Sequence, residues 1–328
     1  GSSRLVPSVP RLGNLQPTDR PMNGIRVSVI MPVHNYGAYI GDALRSVAAQ
    51  TLHEFECIIV DDASTDNTAA VVKALIQGDL RFRLVRLERN QGVAGARNRA
   101  LAEARGRYIQ FLDADDLLPP RKLEIHATHL DTHPEDTVVY SDHYRFINPG
   151  TPLPQSGLTP NEKITGCGQG VVARLLRSNV FRMNAVLVRR DAVQAIGPFH
   201  PEFRYIEDWD LWLRMAASNR GFHYLDDAGC TVGVRDTPGS LSKDAPAMRT
   251  FYLPVLQRLW MHGGLGPLNA LSLLVRYALT LLDRLVLRKG PVVVLTEGRW
   301  TFMPMALLVT VVMVPMWPLY KLYRTLRS

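Results

Sequence analysis

The sequence predicts an α/β fold in which a mostly parallel sheet is flanked by helices, with an apolar and basic helical extension at the C-terminal end. Strand-like runs alternate with helix-like segments between residues 25 and 112, which is the rhythm of βαβ units. In a chain of 328 residues, 46% hydrophobic and 21% charged residues exclude general disorder and allow a large core. The net charge is +8, and nine Lys or Arg against two acids in residues 251–328 place most of it in the extension.

Three regions are predicted. Residues 1–24 are rich in Pro, Gly and Asn without a period, which is typical of a tail. Residues 25–250 form the α/β domain, and residues 251–328 form a helical region that we expect to associate with a membrane. Cys57 lies inside an apolar run, so we expect a buried free thiol and a reduced, cytosolic compartment.

Hydrophobic periodicity places the individual elements. The predicted strands are Val27–Met31, Glu56–Val60, Phe82–Leu87, Arg107–Leu112, Val138–Tyr144 and Ala185–Val188. The predicted helices are Tyr39–Ala49, a segment after Asp66, Val93–Ala104, Val171–Leu176 and Ile206–Ala217. The segment 231–242 is rich in turn residues, and we expect it to be flexible and near the site.

The fourth predicted strand ends in acid. Asp113 and Asp115 follow Leu112 with only Ala114 between them, so alternation along an extended chain points both carboxylates to one side. Carboxylate oxygens are the ligands that Mg²⁺ and Mn²⁺ prefer, and such ions commonly also take phosphate oxygens. The alternative interpretation is a solvated acidic turn followed by a helix cap.

The other early strands are also followed by polar residues. These are His34 and Asn35 after the first strand, Asp61, Asp62, Ser64 and Asp66 after the second, and Asn90, Gly92, Arg97 and Asn98 after the third. In open α/β sheets, ligands bind outside the carboxyl ends of the strands. Neither a G-x-G-x-x-G nor a G-x-x-x-x-G-K-[ST] motif is present, which argues against dinucleotide oxidoreductases and P-loop enzymes.

Five segments together resemble the family 2 glycosyltransferases, inverting enzymes of the GT-A fold that use nucleotide-diphosphate sugars. They are VSVIMPVHNYGAYIGDALRSVAAQT, IIVDDASTDNT, NQGVAGARNRAL, RYIQFLDADD and IGPFHPEFRYIEDWDLWLR. They occur in the order and spacing of the family and cover roughly residues 25–242. The resemblance implies a GT-A-type, Rossmann-like sheet.

The resemblance also implies roles for individual residues. The donor nucleotide would be bound by Pro32, His34, Asn35, Asp62, Arg97, Asn98 and Asp113. Asp113 and Asp115 would hold Mn²⁺ or Mg²⁺ at the diphosphate. Asp208 would be the general base that activates the acceptor hydroxyl, with Glu207 as the alternative.

Simpler interpretations stay open for several of these residues. Asp61 stabilises a turn or touches ligand, Asp66 is expected to be a helix N-cap, and His34 lines the pocket or lies in an exposed loop. Glu207 and Asp208 also suit the first turn of a helix, where the helix dipole favours acids. Trp209 and Trp212 are expected in the core.

Two departures from the family pattern are visible. Many relatives carry a histidine before Pro-Gly-Ser, where this chain has Thr237 beside Asp236. The third metal contact is therefore open. The Q-x-x-R-W motif of processive synthases is missing, since Thr296 stands where glutamine would be, and this favours a single transfer.

The extension carries two apolar segments. Polar residues recur every three or four positions between Asn269 and Asp283, which predicts an amphipathic helix. Trp300–Tyr320 is 21 residues long without a charge and is followed by Lys321. This length allows a membrane span with a cytoplasmic basic end, but three prolines inside it also allow short interfacial helices. A buried helical subdomain is the remaining alternative.

The expected function is therefore an inverting transfer from a nucleotide-diphosphate sugar, with UDP favoured, to a lipid-linked or surface-glycan acceptor. We expect it at the cytoplasmic face of the membrane, in polysaccharide biosynthesis. Nucleotidyl transfer would need a Gly-rich, basic loop after the first strand, which PVHNYGAYI does not supply. The alternative from another class is a non-catalytic nucleotide-sugar-binding or scaffold protein. No basic patch interleaved with aromatics marks the α/β domain, so no nucleic acid partner is expected.

Overall fold

The computed structural model describes residues 24–148, 151–152, 163–237, 240 and 243–287. These residues form two compact units. The first consists of the described parts of Gly1–Lys163 with Phe181–Pro201 and His223–Thr237, and the second of Ile164–Val180, Glu202–Phe222 and the described part of Pro238–Ser328. The predicted boundaries at residues 24 and 250 stay predictions.

In the described residues, the first unit contains most of the strands and the helices that cover them. Its strands are β1 (Val27–Val33), β2 (Phe55–Asp61), β3 (Phe82–Arg86), β4 (Tyr108–Phe111), β5 (Asp136–Tyr140), β6 (His143–Asn148), β7 (Thr151–Pro152), β8 (Val186–Arg189), the last half of β9 (Gly221–Tyr224) and β10 (Val232–Arg235). Its helices are α1 (Ile40–Ala48), α2 (Thr68–Ile76), α3 (Gly92–Glu103), α4 (Lys122–Thr132) and α6 (Arg190–Ile196).

In the described residues, the main sheet has seven strands in the order β3-β2-β1-β4-β8-β5-β9. Strands β3, β2, β1 and β4 are parallel, while β8 runs antiparallel to β4 and β5. The mostly parallel α/β sheet predicted from the sequence is confirmed. Strands β1 and β2 are buried along their whole length, because parallel strands covered on both faces need continuous apolar runs.

Two helical layers cover this sheet. Val27, Val29 and Met31 lie in one buried cluster with residues of α1, α2 and α4. The alternate residues of β1 point to the opposite face, where α3 packs on β1 and β2. Cys57 is buried and free, as predicted.

Two predicted elements differ from the structure. Val138–Tyr144 is not one strand, because the chain leaves β5 at Tyr140 and enters β6 at His143 in a second sheet of order β10-β6-β7. The turn-rich segment after Thr231 contains β10, which pairs in parallel with β6. Helix α4 was missed because buried Lys122 and His126 interrupt its apolar pattern.

The second unit is mostly helical in its described residues, which also include the first half of β9. Its helices are α5 (Gln169–Leu175), α7 (Glu207–Ala217), α8 (Ala245–Thr250), α9 (Tyr252–His262) and α10 (Pro267–Leu287). Trp209 and Trp212 on α7 are 2% and 0% exposed, which places both in the core. Helix α9 packs on α7, and its Leu253, Leu256 and Leu259 are fully buried.

Helix α10 contains the predicted amphipathic segment and extends it at both ends. In the parts of the chain that the structure describes, no helix has the length and apolarity needed to cross a membrane. The predicted segment Trp300–Tyr320 lies outside the described residues.

Candidate active site

The predicted donor residues leave the first unit's sheet at one edge. Phe111 at the end of β4 pairs with Ile30, and Asp61 at the end of β2 pairs with Val33. Because these strands are parallel, the loops that follow them emerge together. The structure therefore brings His34, Asn35, Asp62, Arg97, Asp113 and Asp115 to the carboxyl edge of the sheet.

The loop after β1 is fastened to the loop after β2. Asn35 adopts a left-handed backbone with φ 57°, and its side-chain oxygen accepts hydrogen bonds from the amides of Thr65 and Asp66 at 2.8 and 3.3 Å. The Nδ1 atom of His34 lies 2.7 Å from the carbonyl oxygen of Asp62. Both side chains therefore shape this wall of the site, and Pro32 lies buried at the end of β1.

The two acids after β2 hold the backbone around them. Asp62 is 3% exposed, and its two carboxylate oxygens accept from the amides of Gln91 and Gly92 at 2.7 and 2.8 Å at the start of α3. Asp61 is fully buried and accepts from the amide of Ser64 at 2.9 Å. Asp61 therefore stabilises a turn, one of its two predicted roles, and the nucleotide role of Asp62 stays a prediction.

Asp66 was expected to be an N-cap. The capping position of α2 is Asn67, one residue later, which makes no side-chain cap hydrogen bond. The carboxylate of Asp66 nevertheless accepts from the first amide of the helix, that of Thr68, at 2.9 Å. The predicted chemistry is present, shifted by one residue.

Helix α3 contributes Arg97 and Asn98. Arg97 is 3% exposed, and its guanidinium donates to Asp113 at 2.7 Å. Asn98 faces the backbone of Phe199, donating to its carbonyl at 2.8 Å and accepting from its amide at 2.9 Å. Arg97 thus reaches the acidic group, while Asn98 fastens the loop that carries Phe199.

The acids after β4 are tied to the end of β10. Thr237 Oγ1 donates to the Oδ2 atom of Asp115 in a short hydrogen bond. Asp116 is 6% exposed, and its Oδ1 atom accepts from the amide of Arg235 at 2.9 Å. The position where relatives carry a histidine is therefore in direct contact with Asp115.

The three carboxylates repel one another. Burial, together with the negative charge of Asp113, raises the pKa of Asp115. Burial and the two neighbouring carboxylates raise the pKa of Asp116 well above its usual range. Burial, Asp115 and Asp113 also raise the pKa of Tyr36 to about 12. Among the described residues, the ion pair that reaches this triplet is Arg97–Asp113.

This donor set fits a hard divalent cation. Asp113 retains 41% side-chain exposure, and Asp115 is partly exposed beside it. A cation placed between their oxygens would offset the burial and the repulsion from Asp113 that raise the pKa of Asp115. Mg²⁺ and Mn²⁺ accept such carboxylate pairs while keeping other positions for phosphate oxygens.

The predicted base and its alternative open α7 in the second unit. Asp208 accepts from the Nδ2 atom of Asn179 at 2.8 Å and from the amide of Trp209 at 2.7 Å. Glu207 is buried. Ile206, directly before them, has a left-handed backbone with φ 52°, which is an outlier for a β-branched residue. Such strain, about 1–3 kcal/mol, is concentrated at functional sites.

Sequence reasoning missed Arg235 as a residue of the site. Its guanidinium donates to the carbonyl of Asp115 at 3.0 Å, to that of Ile147 at 2.7 Å and to the carboxylate of Asp42 at 2.7 Å. Its side chain is 4% exposed. One sequence feature could have identified Arg235. It is an arginine at the end of an otherwise apolar run, in the turn-rich segment that we expected to lie near the site.

The chain is similar to a known protein family, to curated sequences and to solved structures. The profile of glycosyl transferase family 2 matches residues 28–192, which is half of the chain. This range contains the described loops after β1, β2 and β4 and the start of α3.

Two curated relatives illustrate the sequence similarity. The chain is 33% identical over 233 residues to an uncharacterised glycosyltransferase of Haemophilus influenzae, covering 70% of this chain and 88% of that one. It is 32% identical over 203 residues to the Escherichia coli UDP-Glc:α-D-GlcNAc-diphosphoundecaprenol β-1,3-glucosyltransferase WfgD, covering 60% and 72%. It spans only 23% of a longer uncharacterised Sinorhizobium fredii protein.

A solved structure supports the fold. The crystal structure of Staphylococcus aureus TarS 1-349 in complex with UDP-GlcNAc aligns with a TM-score of 0.61 at 24% identity, over 80% of this chain and 73% of that one. The GT-A-type fold expected from the sequence is confirmed.

Proposed function

The chain belongs to glycosyl transferase family 2, and from this premise we propose that it is an inverting, metal-dependent enzyme. Its donor is a UDP-sugar, and its acceptor is a lipid-linked or surface glycan at the cytoplasmic face of the membrane. Polysaccharide biosynthesis is the process that such a transfer serves.

The observation that carries this proposal is the under-compensated acidic group after β4. The pKa values of half-buried Asp115 and buried Asp116 are raised because both acids have lost water contact and lie next to like charges. A protein that did not bind a cation here would gain nothing from this repulsion. Asp113 and Asp115 would hold the ion, a nucleotide diphosphate would supply further oxygen ligands, and a bound Mn²⁺ or Mg²⁺ would neutralise the charge that develops on the leaving diphosphate.

The protein's own residues position the donor. Arg97 fixes one oxygen of Asp113 and leaves the other available. Thr237 and Arg235 fix Asp115 through its side chain and its carbonyl. Holding both carboxylates before substrate arrives reduces the ordering cost of donor binding.

We assign proton transfer to Asp208. The acceptor hydroxyl oxygen forms a bond to the anomeric carbon of the sugar while the bond from that carbon to the diphosphate breaks. The hydroxyl proton passes to the Asp208 carboxylate, and UDP leaves with the electron pair. Asn179 supports this role because its hydrogen bond fixes one carboxylate oxygen at 2.8 Å, as a positioned base requires.

The acceptor class is supported by the relative from Escherichia coli, whose name specifies UDP-Glc and a diphosphoundecaprenol-linked acceptor. The donor class is supported by the same name and by the UDP-GlcNAc in the Staphylococcus aureus structure. The basic charge of residues 251–328 is consistent with an anionic membrane surface.

The central test is a donor panel on the purified full chain. UDP-glucose, UDP-GlcNAc and GDP-mannose are each supplied with Mn²⁺, Mg²⁺ or excess EDTA, with and without a polyprenyl-diphosphate sugar, and released nucleotide is measured. We expect metal-dependent release of UDP that rises with acceptor. Asp115→Asn should lower the rate of UDP release by more than about 100-fold. Loss of a residue that only orients a metal ligand costs about 10–100-fold, and loss of a direct ligand should cost more.

The matched control is Asp226→Asn, because Asp226 is an 80% exposed acid of the same unit and should leave turnover unchanged. Full activity in excess EDTA would refute the metal assignment. Tight donor binding without transfer of any sugar would instead favour the non-catalytic alternative.

Membrane association is best tested by neutralising basic residues of the C-terminal region. Deleting that region from about Arg249 onwards would be less informative. Leu253, Leu256 and Leu259 of α9 belong to the core of the second unit, so a chain ending there would lose buried apolar surface. A triple variant carries Lys321→Gln, Arg324→Gln and Arg327→Gln. Its flotation with anionic vesicles should weaken, since each cation contributes about 1 kcal/mol to binding an anionic membrane surface. Lys73→Gln, Arg99→Gln and Arg121→Gln together form the control on the first unit. Equal flotation of both variants and wild type would refute the role of the terminal cations.

A further inference from the structure

A second group of metal-ligating side chains lies in the first unit. His129 is near the end of α4, Asp136 is the first residue of β5, and His223 lies in β9. The Oδ2 atom of Asp136 is 2.8 Å from Nε2 of His129 and 3.3 Å from Nδ1 of His223. All three ligand atoms lie within 4.8 Å of one another.

This group is separate from the donor site. Strand β8 is antiparallel to both β4 and β5, so β5 runs in the same direction as β4. The first residue of β5 therefore lies at the amino edge of the sheet, whereas Asp113 and Asp115 follow the carboxyl end of β4. An ion bound at one edge does not share ligands with an ion bound at the other.

We propose that His129, Asp136 and His223 form a binding site for a divalent transition-metal ion, with Zn²⁺ as the best fit. Zn²⁺ takes His nitrogen and carboxylate oxygen at about 2.0–2.2 Å, which in tetrahedral geometry separates neighbouring ligand atoms by about 3.3 Å. The His223–Asp136 contact at 3.3 Å already matches that separation, and the His129–Asp136 contact at 2.8 Å is shorter and would lengthen on binding. Imidazole ligands favour Zn²⁺ over Mg²⁺ and Mn²⁺, so this site and the donor site select different ions.

The surrounding chain holds the ligands in place. The His133 ring stacks on that of His129 with centroids 4.2 Å apart and planes inclined by 8°. Arg189 donates to the carbonyls of Leu130, His133 and Asp136 at 2.6, 3.1 and 2.7 Å, which fixes the turn between α4 and β5. A turn fixed in this way presents two of the three ligands with little ordering on binding.

Access to the site runs past His223. The side chains of His129 and Asp136 are 8% and 10% exposed, and that of His223 is 31% exposed. Three protein ligands leave the fourth tetrahedral position to water or to another small ligand. The site therefore admits an ion from solvent while shielding two of its ligands.

The test uses the untagged full chain, stripped with a chelator and kept in excess Mg²⁺ so that the oxygen site is filled. Zn²⁺ is titrated by calorimetry, and Co²⁺ is titrated by visible absorption, which reports four-coordinate geometry. We expect one equivalent of each ion to bind. His129→Gln and His223→Gln should each weaken Zn²⁺ binding by at least about tenfold, while His53→Gln, at an exposed histidine elsewhere in the unit, should leave it unchanged.

X-ray absorption on Zn²⁺-loaded wild type needs no variant and so does not depend on how the variants fold. The expected shell contains two imidazoles and an oxygen ligand at about 2.0–2.2 Å. Absence of Zn²⁺ binding in excess Mg²⁺, affinity unchanged by both His129→Gln and His223→Gln, or a shell without imidazole would each overturn the proposal.

Discussion

The two units place clustered acids in opposite electrostatic surroundings. In the first unit, half-buried Asp115 and buried Asp116 lie beside another carboxylate and have raised pKa values. In the second unit, Asp210 is fully buried, but its Oδ2 atom accepts from Arg214 at 2.8 Å and from Arg258 at 3.0 Å. Asp210 is compensated by the protein itself, whereas the acids after β4 leave room for a cation from outside.

We propose that this difference separates acids that stabilise the fold from acids that bind a metal ion. Removing one partner of a buried ion pair leaves the other partner without compensation in a low-dielectric interior, at a cost of about 3–5 kcal/mol. Removing one member of a repelling group relieves the others. The same substitution, Asp to Asn, should therefore have opposite consequences for stability in the two units.

The largest expected effect is on turnover and concerns Asp208. Asp208→Asn should lower the rate of sugar transfer by about 10²–10⁴-fold, because general acid–base catalysis contributes that much. Donor affinity should change little, since the base acts on the acceptor hydroxyl. Single-turnover transfer and donor titration measure the two quantities separately.

Glu207→Gln is the paired variant on the same helix. If Glu207→Gln abolishes transfer and Asp208→Asn does not, the base is Glu207. If Asp208→Asn weakens donor binding while its maximal rate is preserved, Asp208 contributes to donor binding instead.

The largest expected effect on folding concerns Asp210. Asp210→Asn should lower the free energy of unfolding by about 3–5 kcal/mol, because Arg214, which is 2% exposed, and Arg258 lose their counter-charge. Urea unfolding followed by tryptophan fluorescence measures it, since Trp209 and Trp212 lie on the same helix. Asp208→Asn is the control and should remain within about 1 kcal/mol of wild type. A loss below about 1 kcal/mol for Asp210→Asn would contradict the structural role.

Much of the first unit could be predicted from the sequence, because its strands are continuous apolar runs and each is followed by polar residues. The positions of His34, Asp62, Asp113 and Asp115 follow from that rule. What could not be predicted is where their hydrogen bonds go. Asp62 accepts from the amides that begin α3, since those amides have no partner within the helix.

Tertiary contacts between distant segments explain the rest. Arg235 lies far along the chain from Asp42, yet the two form an ion pair. His223 joins His129 and Asp136 only because β9 lies beside β5 in the sheet. No periodicity or short motif in the sequence contains such pairings, so they required the structure.

The first unit also contains a buried basic residue, Lys122, whose charge no acid among the described residues compensates. Lys122 is fully buried, and its Nζ atom contacts the uncharged Gln110 at 2.7 Å and His126 at 2.9 Å. Burial lowers the pKa of Lys122 to about 7, whereas the pKa of lysine in an unfolded chain is about 10.4. Between these values the unfolded chain binds the extra proton, so stability should rise with pH by up to about 1.4 kcal/mol per pH unit from this group.

Lys122→Met removes this titration, so the dependence of unfolding free energy on pH should become shallower between about pH 7 and 10. Urea midpoints across that range measure the slope. Loss of the Lys122 contacts lowers stability by the same amount at every pH, so it does not change the slope. Lys73→Met, at an exposed lysine on α2, should leave the slope as in wild type. An unchanged slope in Lys122→Met would show that Lys122 remains protonated in the folded state.

The smallest expected effect is the one that most sharply tests the contrast between the units. Asp115→Asn, measured in EDTA without nucleotide, should leave the free energy of unfolding unchanged or raise it by up to about 1 kcal/mol. The asparagine oxygen still accepts the hydrogen bond from Thr237, while the repulsion from Asp113 and Asp116 disappears. Thermal unfolding followed by circular dichroism measures this, and adding Mn²⁺ with UDP should stabilise wild type but not the variant, because a ligand stabilises only the state that binds it. A loss of more than about 2 kcal/mol in EDTA would place Asp115 among the acids that stabilise the fold, and the contrast with Asp210 would then fail.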